Sequence, residues 1–351
     1  MKIVVRGTNW IGDAVMAIPA MRELRRIFPG AHITLHTRSW AEGIFRDADF
    51  IDAILPFDRG ESRLSDVIEQ SKVLKQGEFD LGIILPNSFA SALTMRFAGV
   101  RDRFGYSREA RRFFLSHPVP VPKWKSERHE VFYYLNLIGQ VEREMLGSDT
   151  VGGREPESAV AVSEERQRQA RSVLSDVGCD ALRPLVTLGV GAANSRAKRW
   201  LPEYYARLND MLASELNANV VIVGSKDEEP VAAEVFELSA VKPVILAGKT
   251  GLDEAVAVLS VADLMISNDM GLAHVAPAVG TETIVIFGPT DPTTTRPYSP
   301  KASVVRVDVE CSPCMLRDCP IDHRCMVRVT PETVFALAKE KLSAVRYHSV
   351  N

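Results

Sequence analysis

The chain has 351 residues, a length that predicts two domains. Hydrophobic residues make up 46% and charged residues 25%, a balance that excludes a disordered, collagen-like or disulfide-scaffold protein. The net charge of −3 argues against a general nucleic-acid binder, and no window reaches the roughly 20 apolar residues of a membrane helix. The amino terminus lacks the apolar core of a signal peptide, because Arg6, Asn9 and Asp13 interrupt it. We therefore expect a cytoplasmic protein.

The first 150 residues alternate strand-like apolar runs with helical patterns. Four runs predict strands, at residues 2–6, 32–36, 53–56 and 80–85. Apolar residues at helical spacing predict one helix over 14–28, which Pro29 and Gly30 end. Strict alternation of strand and helix predicts an α/β fold, with a parallel sheet covered on both faces.

Residues 146–166 are rich in Gly, Ser, Pro and Glu and predict a linker, after which the alternation restarts. Further strands are predicted at 185–190, 219–224, 244–246, 263–267 and 283–287, with helices at 202–215, 253–260 and 331–346. We predict domains at 1–165 and 166–330, and we expect the final segment, 331–351, to fold back over the first domain. Two such domains in tandem would bind ligands in a cleft at the carboxyl ends of their strands.

The sequence RGTNWIGD follows the first predicted strand directly. Gly7 and Gly12 allow a tight turn before a helix N-terminus. The pattern is not GxGxxG, which weakens a dehydrogenase interpretation. Asp13 begins the predicted helix, so it is either an N-cap or a general base at the carboxyl end of a strand.

Two turns in the second domain suit a phosphate. The loop 189–200 is rich in Gly and Ala and carries Lys198, although a solvated basic loop would look the same. In SNDMGLAH, the backbone amides of Met270, Gly271 and Leu272 would point at an anion from a helix N-terminus. His274 alone is more simply a packed core histidine. Two phosphate-binding turns in one domain together favour a diphosphate ligand.

Four of the five cysteines lie between residues 311 and 325, with His323 among them. Close spacing in a cytoplasmic chain is typical of a zinc site, but the last two spacings are irregular for a zinc ribbon. Reduced or partly disulfide-linked thiols that pack a loop are the favoured alternative to structural zinc. The four residues of this cluster are Cys311, Cys314, Cys319 and Cys325.

Four segments in this order resemble the ADP-heptose:lipopolysaccharide heptosyltransferases, closest to the heptosyltransferase II branch, from Met1 to about Leu342. They are RGTNWIGDAVMAIPAMRELRRIFP, GAANSRAKRWLPEYYARL, SNDMGLAHVAPAVGT and CSPCMLRDCPIDHRCM. The resemblance implies a GT-B glycosyltransferase with two Rossmann-like domains facing across a cleft. It implies that the second domain binds ADP-heptose, that the first binds heptosyl-Kdo-lipid A, and that no catalytic metal or other cofactor is required.

Residue roles follow from the resemblance. It implies that Asp13 is the catalytic base and that Lys198 contacts the departing diphosphate. The donor site would comprise Gly12, Ser195, Lys198, Glu228, Thr250, Asp269, Met270, Gly271, Leu272 and His274. Glu228 is the candidate for the ribose hydroxyls, with Asp227 and Glu229 left open beside it. The acceptor site would comprise Asn9, Trp10, Asn87, Arg101, Arg103, Arg111 and Arg112.

Residues 96–128 carry nine basic and three acidic side chains, a local charge of +6. Such a run can be a solvated face, but interleaved aromatic residues favour a binding surface. An anionic lipid-linked acceptor at the cytoplasmic leaflet of the inner membrane would be attracted to it. We therefore expect peripheral membrane association.

Three other interpretations remain open. One is heptosyltransferase I, or a transferase for a later heptose, although NWIGD, AKRW and the cysteines favour the second branch. Another is a nucleotide- or glycan-binding protein of the same fold, which would not need a carboxylate at position 13. The third is a dehydrogenase, against which the missing GxGxxG counts.

Overall fold

The computed structural model describes residues 1–60, 62–108, 110–192 and 195–349, with the backbone alone for 345–349. Ala193 and Asn194 of the predicted phosphate loop, Glu109 of the basic stretch, and the last two residues of the predicted final segment lie outside this range. The chain divides into two compact units, Met1–Ser158 and Ala159–Asn351. The boundary falls inside the predicted linker, seven residues before the predicted start of the second domain.

The first unit is a six-stranded parallel sheet with helices on its faces. Its strands are β1 Lys2–Arg6, β2 His32–Arg38, β3 Ala53–Phe57, β4 Leu81–Ile84, β5 Asp102–Tyr106 and β6 His117–Val119. Its helices are α1 Ile11–Met16, α2 Ile18–Ile27, α3 Glu42–Phe45, α4 Arg63–Gln76, α5 Phe89–Phe97 and α6 Glu130–Leu146. The interior of the sheet is formed by fully buried apolar side chains of the central strands, such as Ile3, Val4 and Ile83.

The second unit has the same construction. Its strands are β7 Leu185–Gly189, β8 Asn219–Ile222, β9 Val244–Ile245, β10 Leu264–Asn268, β11 Glu282–Ile286 and β12 Ala302–Val305. Its helices are α7 Glu164–Asp176, α8 Pro202–Glu215, α9 Glu229–Leu238, α10 Leu252–Ser260, α11 Gly271–Ala278, α12 Pro292–Thr295, α13 Arg324–Val327 and α14 Pro331–Ser349. No helix in the described ranges is long and apolar enough to span a bilayer.

Both sheets have the strand order of a Rossmann fold. The first is ordered β3-β2-β1-β4-β5-β6 and the second β12-β11-β10-β7-β8-β9, with all neighbouring strands parallel. The order reverses between β1 and β4 in one unit, and between β7 and β10 in the other. Ligands of open α/β sheets bind outside the carboxyl ends of the strands at this point. Each unit therefore presents one such position.

The predicted helix over 14–28 is wrong in one respect, because it is two helices. The first, α1, ends at Met16, and α2 begins at Ile18 with Pro19 in its first turn. Proline has no N–H and its ring clashes with the carbonyl four residues earlier, so a continuous helix cannot pass through position 19.

The expectation for the final helix is also wrong. We expected it to pack on the first domain, but its apolar side is part of the core of the second unit. Val334, Phe335, Ala338 and Leu342 are buried there beside side chains of α8 and of the central strands. The helix covers a face of the second sheet, which parallel strands need on both sides.

Candidate active site

The turn after β1 brings Asp13 to the switch point of the first sheet. The Gly7 N–H donates to the His36 carbonyl at 2.9 Å, and a Cβ at Gly7 would lie 2.7 Å from Thr37 Oγ1. Only glycine therefore fits this close approach of β1 to β2. The N-cap of α1 is Trp10, so Asp13 stands in the first helical turn and is not the N-cap. A carboxylate in that turn is stabilised by the helix dipole.

The environment of Asp13 raises its pKa to about 6, first through burial and second through the nearby carboxylate of Glu130. The ammonium of Lys125 opposes this shift. Lys125 forms an ion pair with Glu130 and lies 4.5 Å from the ring centroid of Tyr133. A carboxyl group with a pKa near 6 accepts a proton at neutral pH more readily than an ordinary aspartate does.

Lys125 and Glu130 were not selected as site residues from the sequence. Lys125 was counted only as part of the basic stretch, and Glu130 begins α6 without any distinguishing motif. Their proximity to Asp13 arises because α1 packs against α6, a contact between segments more than 100 residues apart.

Asn87 lies just after β4, which pairs with β1 across the switch point. Its side-chain oxygen accepts hydrogen bonds from Tyr133 Oη at 3.3 Å and from Arg111 Nη2 at 3.4 Å. Asn9 is half-buried, and Trp10 is 58% exposed on the adjacent turn. These three predicted acceptor residues therefore lie at or near the carboxyl edge of β1 and β4.

The predicted acceptor arginines divide into two kinds. Arg111 is fully buried and donates to the carbonyls of Tyr106 and Pro86. Arg103 is 9% exposed and donates to the carbonyls of Phe114, Val100 and Arg101. The expectation that both form a binding surface is wrong, because their guanidinium donors are used inside the fold.

Arg101 and Arg112, by contrast, are exposed. Arg101 stands two residues before the buried Arg103 and forms an ion pair with Asp102 at 3.1 Å. Phe113 beside Arg112 is 86% exposed. A charge count along the sequence cannot separate these two kinds of arginine, since their exposure depends on the ends of β5 and the following turn.

In the second unit, Asn268 at the end of β10 fastens the loop after β7. Its amide nitrogen donates to the carbonyls of Val190 at 2.9 Å and Gly191 at 3.0 Å. Its oxygen accepts from the Trp200 N–H at 2.9 Å and from Tyr205 Oη at 3.1 Å. This fully buried amide thus uses all four of its hydrogen-bonding positions. The SNDMGLAH motif did not predict this role for Asn268.

The structure brings together Lys198 and Asp269, two residues that the resemblance assigns to the donor site. Lys198 Nζ lies 2.7 Å from Asp269 Oδ2, and Thr290 Oγ1 donates to the same oxygen at 2.7 Å. Asp269 is 6% exposed, whereas the Lys198 side chain is 26% exposed. The lysine ammonium is therefore held by a buried carboxylate while one side remains accessible. Thr290 was not predicted from the sequence.

The helix α11 begins immediately after Asp269. Met270 is its N-cap, and no described side chain caps the first turn. Gly271 and Leu272 supply amides at this helix end, where the dipole favours an anion. His274 is 5% exposed in the next turn.

Glu228 is the buried member of the three adjoining acids, whereas Asp227 and Glu229 are exposed. Glu228 Oε2 accepts from the Ser225 N–H at 2.8 Å. A Cβ at Gly191 would lie 2.0 Å from Glu228 Oε1, so Gly191 gives this carboxylate its space beside the phosphate loop. Thr250, half-buried after β9, donates to the Leu246 carbonyl at 3.3 Å.

The cysteine segment supports the turn that carries Lys198. The Ala197 N–H donates to the Arg317 carbonyl at 2.9 Å, and a ring nitrogen of His323 lies 2.6 Å from the Ala197 carbonyl. Ser195 Oγ also donates to the Arg317 carbonyl, at 3.4 Å. The segment therefore holds the lysine turn through hydrogen bonds to Ser195 and Ala197.

All four clustered cysteines line one small pocket and are free thiols. Cys325 is buried and Cys311 and Cys314 are exposed. Burial, followed by the neighbouring thiols, raises the pKa of Cys325. Within the described ranges, no three Cys, His, Asp or Glu side chains are placed to hold a metal ion.

Two Rossmann-type units in one chain, one with a carboxyl group of raised pKa and one with a lysine beside a helix N-terminus, are typical of the GT-B nucleotide-sugar transferases. The profile of glycosyltransferase family 9 (heptosyltransferase) matches residues 67–324. The chain belongs to this family and is a glycosyltransferase.

Relatives match over the whole chain. Lipooligosaccharide heptosyltransferase 2 of Haemophilus influenzae is 30% identical, covering 98% of this chain and 99% of the relative. Lipopolysaccharide heptosyltransferase 2 of Escherichia coli is 29% identical, with 98% of each chain covered. The solved structure of E. coli ADP-heptose lipopolysaccharide heptosyltransferase II superposes with a TM-score of 0.84, at 26% identity and full coverage of both chains.

Proposed function

We propose that this protein transfers L-glycero-D-manno-heptose from ADP-heptose to the first heptose of the lipopolysaccharide inner core, heptosyl-Kdo-lipid A. The observation that carries the proposal is that each of the two switch points has a reactive group suited to one half of the reaction. One has a carboxylate whose pKa is about 6, and the other has an ammonium beside a helix N-terminus. The full-length likeness to heptosyltransferases 2 supports the choice of donor and acceptor.

On the donor side, the diphosphate is assigned to Lys198 and to the amides at the start of α11. Both provide positive charge where ADP becomes more negative as it leaves. Asp269 and Thr290 fix the ammonium. Glu228 is assigned to the ribose hydroxyls, because a buried carboxylate beside the phosphate loop is a suitable acceptor for two hydroxyl donors. Ser195, Thr250 and His274 complete the proposed donor site.

The reaction is a single displacement. The acceptor hydroxyl oxygen bonds to the anomeric carbon from the face opposite ADP, and the bond from that carbon to the phosphate oxygen breaks. The hydroxyl proton passes to Asp13, and the electron pair of the broken bond leaves with ADP. The β-linked donor thus gives an α-linked product without a covalent enzyme intermediate.

On the acceptor side, we assign Asn9, Trp10 and Asn87 to the sugar near Asp13. Arg112, with exposed Phe113, is assigned to the anionic lipid-linked portion of the acceptor. Arg101 is left out of this assignment, because it precedes β5 at the amino edge of the sheet, the edge opposite to Asp13. Basic and aromatic side chains together suit an anionic membrane surface. We therefore propose peripheral association with the cytoplasmic leaflet of the inner membrane.

Purified protein incubated with ADP-heptose and with acceptors bearing zero or one heptose tests the proposal. We expect one heptose to be added to the acceptor that already carries one, in an α linkage detected by NMR. Addition only to the heptose-free acceptor would instead make the protein a heptosyltransferase I. Tight ADP-heptose binding without transfer to either acceptor would identify a binding protein.

A further inference from the structure

Three arginines end or follow the first three strands of the first sheet, outside every residue assigned above. Arg6 is the last residue of β1, Arg38 is the last of β2, and Arg59 follows β3 by two positions. In the sheet register, Arg6 pairs with His36, and Arg38 pairs with Phe57. Alternate residues of a strand share a face. The side chains of Arg6, His36, Arg38 and Phe57 therefore lie on one face of the sheet, at its carboxyl edge.

Two of these arginines stack on one aromatic ring. The guanidinium carbon of Arg6 lies 3.8 Å from the ring centroid of Phe57, and that of Arg38 lies 5.5 Å from it. Contact with a ring face fixes the plane of a guanidinium while leaving its edge donors available. Phe57 thus holds two positive groups close together.

The positive charge of this cluster is poorly matched. Arg6 is 7% exposed, and burial, followed by the charges of Arg38 and Arg59, lowers its pKa to about 9. Among the described residues, Asp58 is the carboxylate within ion-pair distance of the cluster, 3.8 Å from Arg38 and 67% exposed. A buried cation without a close counter-charge is costly unless a ligand supplies one.

Hydrogen-bond donors in the cluster are also unused. Within the described part of the chain, Arg6 Nε, Arg38 Nη1 and both ring nitrogens of His36 are buried without a hydrogen-bond partner. His36 is 1% exposed, and burial, followed by Arg6, lowers its pKa to about 3, so it is neutral. Because nearly all buried polar groups in proteins are paired, the two arginine nitrogens and the single N–H of neutral His36 indicate a missing hydrogen-bond acceptor.

We propose that Arg6, Arg38 and Arg59 form a subsite for an oxyanion of the acceptor, either a phosphate monoester or a sugar carboxylate. The identity of the acceptor in this inference rests on the proposed function. Arg59 and the partly exposed Arg38 provide the entrance, and Arg6 with His36 forms the inner wall. The subsite would fix the acceptor at the same sheet edge that carries Asp13.

The first test is the Michaelis constant of heptosyl-Kdo-lipid A for Arg38→Gln, Arg59→Gln and the double variant. Loss of one charge-assisted contact corresponds to about a tenfold rise in acceptor KM, and loss of both to a larger rise. We expect the donor KM, and kcat at saturating acceptor, to stay within about twofold of wild type. The control is Arg207→Gln, an arginine paired with Glu332 in the second unit, which should leave the acceptor KM unchanged. An unchanged acceptor KM in the double variant would overturn the inference.

Two altered acceptors identify the anion. If the subsite binds a phosphate, the defect of the double variant should disappear on enzymatically dephosphorylated acceptor. If it binds a carboxylate, the defect should disappear on acceptor whose Kdo carboxylates are methyl esters. A full defect on both altered acceptors would show that neither anion is bound there. If wild-type protein transferred heptose to no acceptor, the proposed function would fail. Calorimetric binding of the deacylated acceptor to the wild type and the double variant would then still show whether the arginines bind it.

Arg6→Met separates a ligand-binding role from a structural one. Methionine fills similar volume without the unmatched charge, so we expect an unchanged or higher melting temperature together with a raised acceptor KM. A lower melting temperature with wild-type acceptor KM would show that Arg6 only supports the fold.

Discussion

At the scale of single residues, Asp13 combines a catalytic assignment with an unfavourable environment. Its pKa in the folded protein is about 6, against 3.8 in the unfolded chain. The folded state therefore binds more protons between about pH 4 and pH 6, and stability falls as the pH rises through this window. Above about pH 6, the full cost of burying the ionised Asp13 carboxylate lowers the free energy of unfolding.

We expect Asp13→Asn to abolish transfer while raising the free energy of unfolding near pH 8, by at most about 2–3 kcal/mol. The gain should vanish below about pH 4, where both forms are neutral. Activity assays, calorimetric ADP-heptose binding and thermal unfolding at both pH values measure these effects. Glu69→Gln, an exposed acid on α4, is the control and should change neither property. Donor affinity that falls as far as the rate would contradict the assignment of Asp13 as the base.

Lys198 is the second residue on which the proposed mechanism depends. Because negative charge grows on ADP in the transition state, Lys198→Ala should lower kcat much more than it raises donor KM, by about 10²-fold or more. Lys198→Arg should recover part of this loss, since a planar fork does not replace a compact ammonium. Steady-state kinetics measure both, with Lys339→Ala on α14 as the exposed control. If the alanine variant kept more than about half of wild-type kcat, Lys198 would have no place in the mechanism.

At the scale of secondary-structure elements, the proposed donor site depends on the connection between β7 and β10. Asn268 makes this connection through four buried hydrogen bonds. The sequence shows the two flanking loops as separate motifs, and only the pairing of β7 with β10 places one amide between them.

We expect Asn268→Ala to lower the free energy of unfolding by about 1–3 kcal/mol or more, because buried carbonyls and donors lose their partners. We also expect a raised donor KM, since the loop that leads to Lys198 loses its attachment. Asn219→Ala is a matched control. Asn219 is the first residue of β8, at the end of that strand opposite to the site, and its side chain forms hydrogen bonds with the backbone of Asp180. The control should lower the melting temperature without changing donor KM. A similar change of donor KM in both variants would assign the effect to general destabilisation.

At the scale of the whole molecule, two units of the same topology carry different chemistry. In the proposed mechanism, the first supplies the base and the second supplies positive charge for the leaving diphosphate, from Lys198 and the start of α11. In that mechanism, these groups take the part in charge stabilisation that a metal ion takes in other transferases.

We therefore expect EDTA to leave the transfer rate unchanged, as measured by ADP release with and without added Mg²⁺. Loss of activity that Mg²⁺ restores would show that protein groups alone do not stabilise ADP. Loss restored only by Zn²⁺, with parallel unfolding, would instead assign a structural metal to the four clustered cysteines.

Much of the fold was predictable because parallel strands in a covered sheet are short, apolar and repeated. The predicted helix 202–215 matches α8, and nine strands were placed to within about two residues. The strands β5, β6 and β12 were not predicted, since none is a continuous apolar run: β5 carries Asp102 and Arg103, β6 is HPV and β12 is ASVV. Pro19 indicates the division between α1 and α2, but the apolar residues keep helical spacing across it, so the pattern predicts one continuous helix.

The sequence alone determined the fold class, the family and the two glycine-containing turns, because these depend on local patterns and on motif order. The tertiary structure decided which charges act together. It buried Arg111 and Arg103, selected Glu228 from three neighbouring acids, and brought Thr290 to Asp269. It also placed Glu130 near Asp13 and gathered Arg6, Arg38 and Arg59 from three strands. Exposure and electrostatic coupling depend on distance in space, and in a parallel sheet the neighbours of a strand end come from distant parts of the chain.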